Sequence, residues 1–191
     1  MDFTNAEKYQ ALLRFNSSVS KDEKELVSLE DYVGRMKKDQ KEIYYALGTS
    51  KEAIDLNPHL EIFKAKGLEV LYLYDPVDEF VVSSIRKHKD FEFKSVDGVD
   101  LKELDKIEDV EKSEEPKEKF SKEDDKAFGK LMLKMKEVLG DRVTEVHESK
   151  RLKGSPSCLI NPDDTMSSTM QKILKMSNQG MAMPPQKRLM E

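Results

Sequence analysis

Residues 68–74 read LEVLYLY, a nearly continuous apolar run between Gly67 and the Asp75-Pro76 pair. Apolar runs of this length, bounded by turn residues, are typical of strands that are covered on both faces, as in a parallel sheet. A second run of this kind, EIYYAL at residues 42–47, ends before Gly48. Both runs are therefore predicted to be buried parallel strands.

Helical spacing separates and follows these two strands. Between them, Leu60 and Phe63 mark a short helix that begins near Pro58 and closes at Gly67. After Pro76, a second helix is indicated by the spacing of four apolar residues, Val77, Phe80, Val81 and Ile85. Each predicted strand is thus followed by a helix.

A third strand and an earlier helix complete the predicted layer. Residues 91–96, FEFKSV, alternate as a strand does, and Ser28 followed by Asp31 resembles a capping box before an amphipathic helix. Alternating strands and helices predict a small α/β layer with right-handed crossovers over residues 28–104. Residues 1–27 are predicted to be a helical lead-in followed by a loop.

A charged segment divides the chain. Of the 22 residues from Asp105 to Lys126, 16 are charged and almost none is apolar, which predicts a solvated linker at residues 105–125. After it, an apolar stripe stops at Gly140, a residue suited to a helix end, so a second unit is predicted over residues 126–191.

The second unit is predicted to be a small α+β structure. Residues 142–147 and 157–160 are interpreted as two short strands joined through Gly154, and a helix is expected to begin near Met166. The final stretch, MAMPPQKRLME, is not expected to be regular because of its Pro-Pro pair.

Composition excludes several functions. Although 37% of the 191 residues are charged, the formal net charge is only -5, which argues against a nucleic-acid binder or a protein of anionic membranes. No apolar run approaches the roughly 20 residues that span a bilayer, and the first residues do not resemble a signal peptide. Cys158 is the only cysteine, which fits a reducing cytoplasm.

Four stretches carry a resemblance to a known family. They are SLEDYVGRMKKDQKEIYY at 28–45, HLEIFKAKGLEVLYLYDPVDEF at 59–80, LGDRVTEVHESKRLKGSPSCLI at 139–160 and MSSTMQKILK at 166–175. In order and residue type they resemble the heat shock protein 90 chaperone family, at the end of its middle domain and the start of its C-terminal domain. The bacterial form looks closer, because the chain has no long acidic interdomain insert.

The resemblance implies a chaperone role without enzymatic chemistry in this chain. Full-length members use ATP and magnesium in an N-terminal ATPase domain and form homodimers through the C-terminal domain. Neither the ATPase domain nor the loop with the nucleotide-contacting arginine is matched, so no catalytic role passes to Arg14, Arg35 or Arg86. The expected partners are unfolded or partly folded clients, with no cofactor in this chain, and a monomer is expected because the match stops before the dimer interface.

The resemblance also implies a client-binding patch within DEF at residues 78–80. It places Glu79, Phe80 and Ser83 as contacts, with a phenylalanine where a tryptophan is common in the family. Spacing alone favours a Phe80 that faces the α/β core, together with Val77, Val81 and Ile85. Both interpretations remain open at this stage.

A second implied client surface is the predicted helix at residues 166–175. One face carries the apolar residues Met166, Met170, Ile173 and Leu174. Methionine is unbranched and polarizable, so such a face can repack against many partners. The alternative is that this face is core.

The sequence gives little support for a metal site or a phosphate-binding site. His59, His88 and His147 are isolated in sequence, and none of the eight glycines forms a phosphate-binding motif. A small α/β enzyme or nucleotide-binding domain, with Asp75 and Asp78 at the ends of the strands, is the competing hypothesis.

Overall fold

The computed structural model describes residues 6–22, 24–107, 122–160 and 188–190. The first unit is built on a five-stranded sheet of order β1-β3-β2-β5-β4. Its strands are β1 (Asn16–Ser17), β2 (Glu42–Leu47), β3 (Leu71–Leu73), β4 (Lys87–His88) and β5 (Phe91–Ser95). The three central strands are parallel, whereas β1 and β4 pair antiparallel at the two sides. The predicted parallel strands and the α/β class are confirmed.

Helices cover both faces of this sheet. They are α1 (Ala6–Leu12), α2 (Leu29–Arg35), α3 (Lys51–Asp55), α4 (Leu60–Ala65), α5 (Pro76–Ile85) and α6 (Leu101–Leu104). Successive side chains of a strand point to opposite faces. Accordingly, Ile43 of β2 packs in the core with residues of α2 and α5, while Tyr44 packs in the core with residues of α3, α4 and α6. The result is an α/β/α layer structure.

A buried polar network attaches α2 to the sheet. The predicted capping box of Ser28 and Asp31 begins this helix. Near its end, Arg35 donates two hydrogen bonds of 2.8 Å to the carboxylate of Glu69, which also accepts one from Ser17 Oγ at 2.6 Å. Tyr32, fully buried, donates to the Glu69 carbonyl oxygen at 2.8 Å. These bonds fix α2 against β1 and the start of β3.

The first unit extends beyond its predicted end at residue 104. Ile107 is buried in the same core as Leu104. The carbonyl oxygen of Ile107 accepts a 2.7 Å hydrogen bond from Nζ of the buried Lys66. The first three residues of the predicted linker, 105–107, therefore belong to the folded unit, and residues 108–121 lie outside the described part of the chain.

The second unit combines one long helix with a small sheet. Helix α7 (Lys122–Leu139) is followed by Gly140, whose positive φ of 54° explains the choice of glycine. Strands β6 (Val143–Val146), β7 (Leu159–Ile160) and β8 (Arg188–Met190) form a sheet of order β6-β8-β7.

The two strands predicted for the second unit are present as β6 and β7, and β8 lies between them in the sheet. The stretch predicted to be irregular, MAMPPQKRLME, contains this inserted strand after its Pro-Pro pair. Helix α7 begins at Lys122, within the predicted linker at residues 105–125.

Candidate functional site

Helix α5, which carries the first predicted site, has a well-defined start. The side chain of Asp75 accepts a hydrogen bond from the Val77 N–H at 2.9 Å, and the Asp78 carboxylate accepts one from the Asp75 N–H at 3.3 Å. Pro76 occupies the first turn, where a missing N–H costs nothing. The helix ends at Arg86, whose φ of 61° turns the chain toward β4. Local sequence signals therefore fix this helix.

The inner face of α5 carries Val82 and Glu79. Val82 is 1% exposed and packs in the core beside Leu73 of β3. The Glu79 side chain is only 4% exposed, although it is acidic. Burial raises the pKa of Tyr45 to about 12, and the negative charge of nearby Glu79 adds to this effect. Glu79 thus lies beneath the helix and not on its outer surface.

The outer face of α5 exposes two apolar side chains to solvent. Phe80 is 45% exposed and Val77 is 60% exposed, one turn apart. Ser83 is also exposed, one turn beyond Phe80 on the same side. The structure therefore brings Phe80 and Ser83 together and separates them from Glu79. The alternative that Phe80 faces the core does not agree with this exposure.

The second predicted site lies elsewhere in the chain. Met166, Met170, Ile173 and Leu174 are outside the described residues. Their assignment as a client-binding face stays a prediction.

Asp75 and Asp78, which the competing hypothesis of a small enzyme or nucleotide-binding domain singled out, cap the start of helix α5. Asp75 and Asp78 both accept backbone hydrogen bonds at the start of α5. Burial raises the pKa of the Asp78 carboxyl, with the neighbouring Asp75 as a further cause. Among residues 6–22, 24–107, 122–160 and 188–190, no group of three His, Cys, Asp or Glu side chains could hold a metal ion. No helix in these same ranges is long and apolar enough to cross a membrane.

Helix α7 carries exposed apolar residues that the sequence analysis did not assign to a surface. Leu133 and Val138 are 74% and 73% exposed. Phe128 and Leu131 are 44% and 52% exposed. The inner side of the helix contains the half-buried Met132 and Met135 instead. The apolar stripe in the sequence identified the helix, but it did not indicate which residues of the stripe would be buried.

Comparison with known proteins decides the family. The family model described as Hsp90 protein matches residues 1–191. The chain belongs to the Hsp90 family. Chaperone protein HtpG of Oleidesulfovibrio alaskensis is 44% identical to this Hsp90-family chain over 183 residues, which is 96% of the chain and 29% of that relative. Chaperone protein HtpG of Clostridium acetobutylicum is 47% identical over 174 residues, or 91% of the chain and 25% of the relative.

A third relative, chaperone protein HtpG of Geobacter sulfurreducens, is 40% identical over 190 residues, covering 100% of the chain and 28% of the relative. This Hsp90-family chain therefore spans less than a third of the length of the curated relatives it matches.

Proposed function

We propose that this Hsp90-family chain is part of a chaperone that binds unfolded or partly folded client proteins. The outer face of α5 is the client-contacting surface in this proposal. The observation that carries it is the exposure of Phe80 and Val77 on a helix whose start and inner face are fixed. Three relatives named chaperone protein HtpG support the chaperone role.

The chemistry of this surface suits weak binding to many sequences. An aromatic ring beside an aliphatic side chain offers apolar area without a directional hydrogen bond. Full burial of a phenylalanine side chain stabilises by roughly 1.5 to 3 kcal/mol, so covering the 45% of Phe80 that is exposed contributes about 1 kcal/mol. This corresponds to about a fivefold effect on affinity. Weak individual contacts allow clients to leave.

Glu79 has a different role in this proposal from that of Phe80 and Ser83. Because its side chain is buried, it supports the helix from beneath, and Phe80 and Ser83 contact the client directly. The face of Met166, Met170, Ile173 and Leu174 is proposed as a second client surface, on the strength of its methionine content.

The remaining activities of the family belong to the longer protein in this proposal. ATP hydrolysis with magnesium and homodimer formation are assigned there, and this chain couples the two by carrying the client surface between them. The absence of GxGxxG and GxxxxGK[ST] motifs supports a non-enzymatic role for the chain itself. A cytoplasmic location is proposed because Cys158 is the only cysteine, so the chain can form no internal disulfide.

The test compares two exposed apolar residues on different surfaces. Phe80→Ser removes the ring from α5, and Leu56→Ser, at a position 82% exposed, is the matched control. Binding of a fluorescently labelled, reduced and carboxymethylated protein is followed by anisotropy. Phe80→Ser should weaken binding about fivefold, while Leu56→Ser should leave it unchanged. If the wild type and Phe80→Ser bind the labelled protein equally, the assignment of α5 as a client surface is wrong.

A further inference from the structure

The two units meet at the beginning of α4. Residues 151–159, which lie between β6 and β7 and extend into β7, contact His59 and Glu61 of the first unit. Most of this segment has no regular secondary structure. Its conformation must therefore be held by side-chain and loop contacts, because it has no ladder of backbone hydrogen bonds to neighbouring strands before residue 159.

The contact made by Glu61 is more exposed than the one made by His59. One carboxylate oxygen accepts hydrogen bonds from the backbone N–H groups of Lys153 and Gly154, the latter at 2.9 Å. The other oxygen accepts from the Ser155 N–H at 3.0 Å and from the Ser155 hydroxyl. Three successive N–H groups that converge on one anion form a backbone nest. The Glu61 carboxylate thus accepts four hydrogen bonds from this loop.

The charged state of Glu61 suits this arrangement. Burial works to raise the pKa of the Glu61 carboxyl, but the Ser155 hydroxyl and the three backbone N–H groups outweigh it and lower the pKa. The carboxylate is therefore ionised at neutral pH, and its hydrogen bonds are of the stronger, charge-assisted kind. The Lys153 ammonium is not one of the donors, so the contact is not an ordinary salt bridge.

A buried contact lies beside this nest. Arg151 is 3% exposed, and its guanidinium donates to His59 Nδ1 and to the Val99 carbonyl oxygen, each at 3.3 Å. Because a guanidinium can only donate, Nδ1 must accept, and the proton of the neutral ring is on Nε2. Nε2 lies 3.0 Å from the Leu159 carbonyl oxygen, to which it donates. His59 and Glu61 therefore engage one loop at two points.

We infer that Glu61 is a conformational latch that holds the nest loop, residues 153–155, against α4. Loss of the Glu61 charge releases this loop, whereas both units stay folded around their own cores. The buried contacts of Arg151 with His59 and Val99 stay in place, so the release is confined to the nest loop. This inference does not depend on client binding by α5.

Amide hydrogen exchange of the full chain, followed by NMR, tests the latch. In the wild type the N–H groups of Gly154 and Ser155 should exchange slowly, although they lie outside any strand or helix. Glu61→Gln has one acceptor oxygen fewer and places an NH₂ group against the N–H donors. It should speed exchange at both residues about ten- to a hundredfold, with the Tyr44 amide in the sheet unchanged.

Lys153→Ala is the matched control, because it keeps the backbone donor and removes the ammonium. Amide exchange at Gly154 and Ser155 should match the wild type in this variant. If exchange is as fast as in Glu61→Gln, the proposal that backbone N–H groups hold Glu61 is wrong. Unchanged exchange in Glu61→Gln, or wild-type rates equal to those of an unstructured peptide, would overturn the latch.

If Glu61→Gln unfolds the first unit, seen as faster exchange at Tyr44, Ser155→Ala decides the question. This substitution removes the hydroxyl donor alone and should speed exchange only within the loop, by about three- to tenfold. No change in the loop would overturn the latch.

Discussion

Replacing Tyr32 by phenylalanine should strongly destabilise the first unit, although it removes a single oxygen. Tyr32 is fully buried, and its hydroxyl accepts hydrogen bonds from the Tyr44 N–H at 2.9 Å and from Gln40 Nε2 at 3.1 Å. It also donates to the Glu69 carbonyl oxygen. Burial raises the pKa of Tyr32, so the hydroxyl keeps the proton that it donates.

The expected loss of stability follows from the buried polar groups that lose the Tyr32 hydroxyl as their partner. The Tyr44 N–H and the Glu69 carbonyl would each lose this partner, at about 1 to 3 kcal/mol for a buried group. Gln40 keeps its 2.8 Å bond to the Glu42 carbonyl oxygen and adds little. The free energy of unfolding should therefore fall by about 2 to 6 kcal/mol.

Urea unfolding followed by circular dichroism measures this loss. Tyr9→Phe is the control, since Tyr9 is 54% exposed and the same chemical change there should stay within about 0.5 kcal/mol. A loss below about 1 kcal/mol for Tyr32→Phe, with an unchanged denaturant slope, would refute the assignment of Tyr32 as the buried junction between α2 and the sheet.

Two further predictions concern pH and packing. Burial lowers the pKa of His88 below its ordinary value of 6.5, despite the attraction of Glu30 at 3.5 Å. The unfolded chain then binds the proton more readily, so the free energy of unfolding should be greatest above about pH 6.5 and fall as the pH decreases. Unfolding curves at several pH values should show a weaker dependence for His88→Gln, and parallel dependences would contradict the prediction. A Cβ on Gly48 would overlap the Ile54 side chain, whereas one on Gly34 in α2 would meet nothing within 4 Å. Gly48→Ala should therefore cost about 1 to 3 kcal/mol and Gly34→Ala should stabilise by up to about 1 kcal/mol; the opposite order of melting temperatures would be inconsistent with this packing.

The parts of the fold that could be predicted depend on local signals. The apolar runs of β2 and β3, the capping box at Ser28 and the helix after Pro76 are each encoded within a few residues. Strands β1 and β8 could not be predicted, because they are short and owe their conformation to partners far along the chain. Asn16 and Ser17, for example, become a strand only beside Tyr72 and Leu71.

The candidate site was predicted in part for a similar reason. Spacing placed Phe80 on an apolar face of a helix but could not decide which way that face points. The rotation of α5 is set by Val82, which enters the core beside Leu73, and this contact exists only in the folded sheet. The burial of Glu79 follows from the same rotation, and no pattern in the sequence indicates it.

The outer strands of the five-stranded sheet have a consequence for a protein proposed to handle unfolded chains. An open sheet edge invites an extended peptide to add as another strand, which leads to aggregation. Here both edges are only two residues long: β1 is Asn16–Ser17 and β4 is Lys87–His88. Lys89, with a φ of 54°, turns the chain immediately after β4. Such edges are too short and too polar to template an added strand, so under the proposed function a client would be held at this unit through side chains.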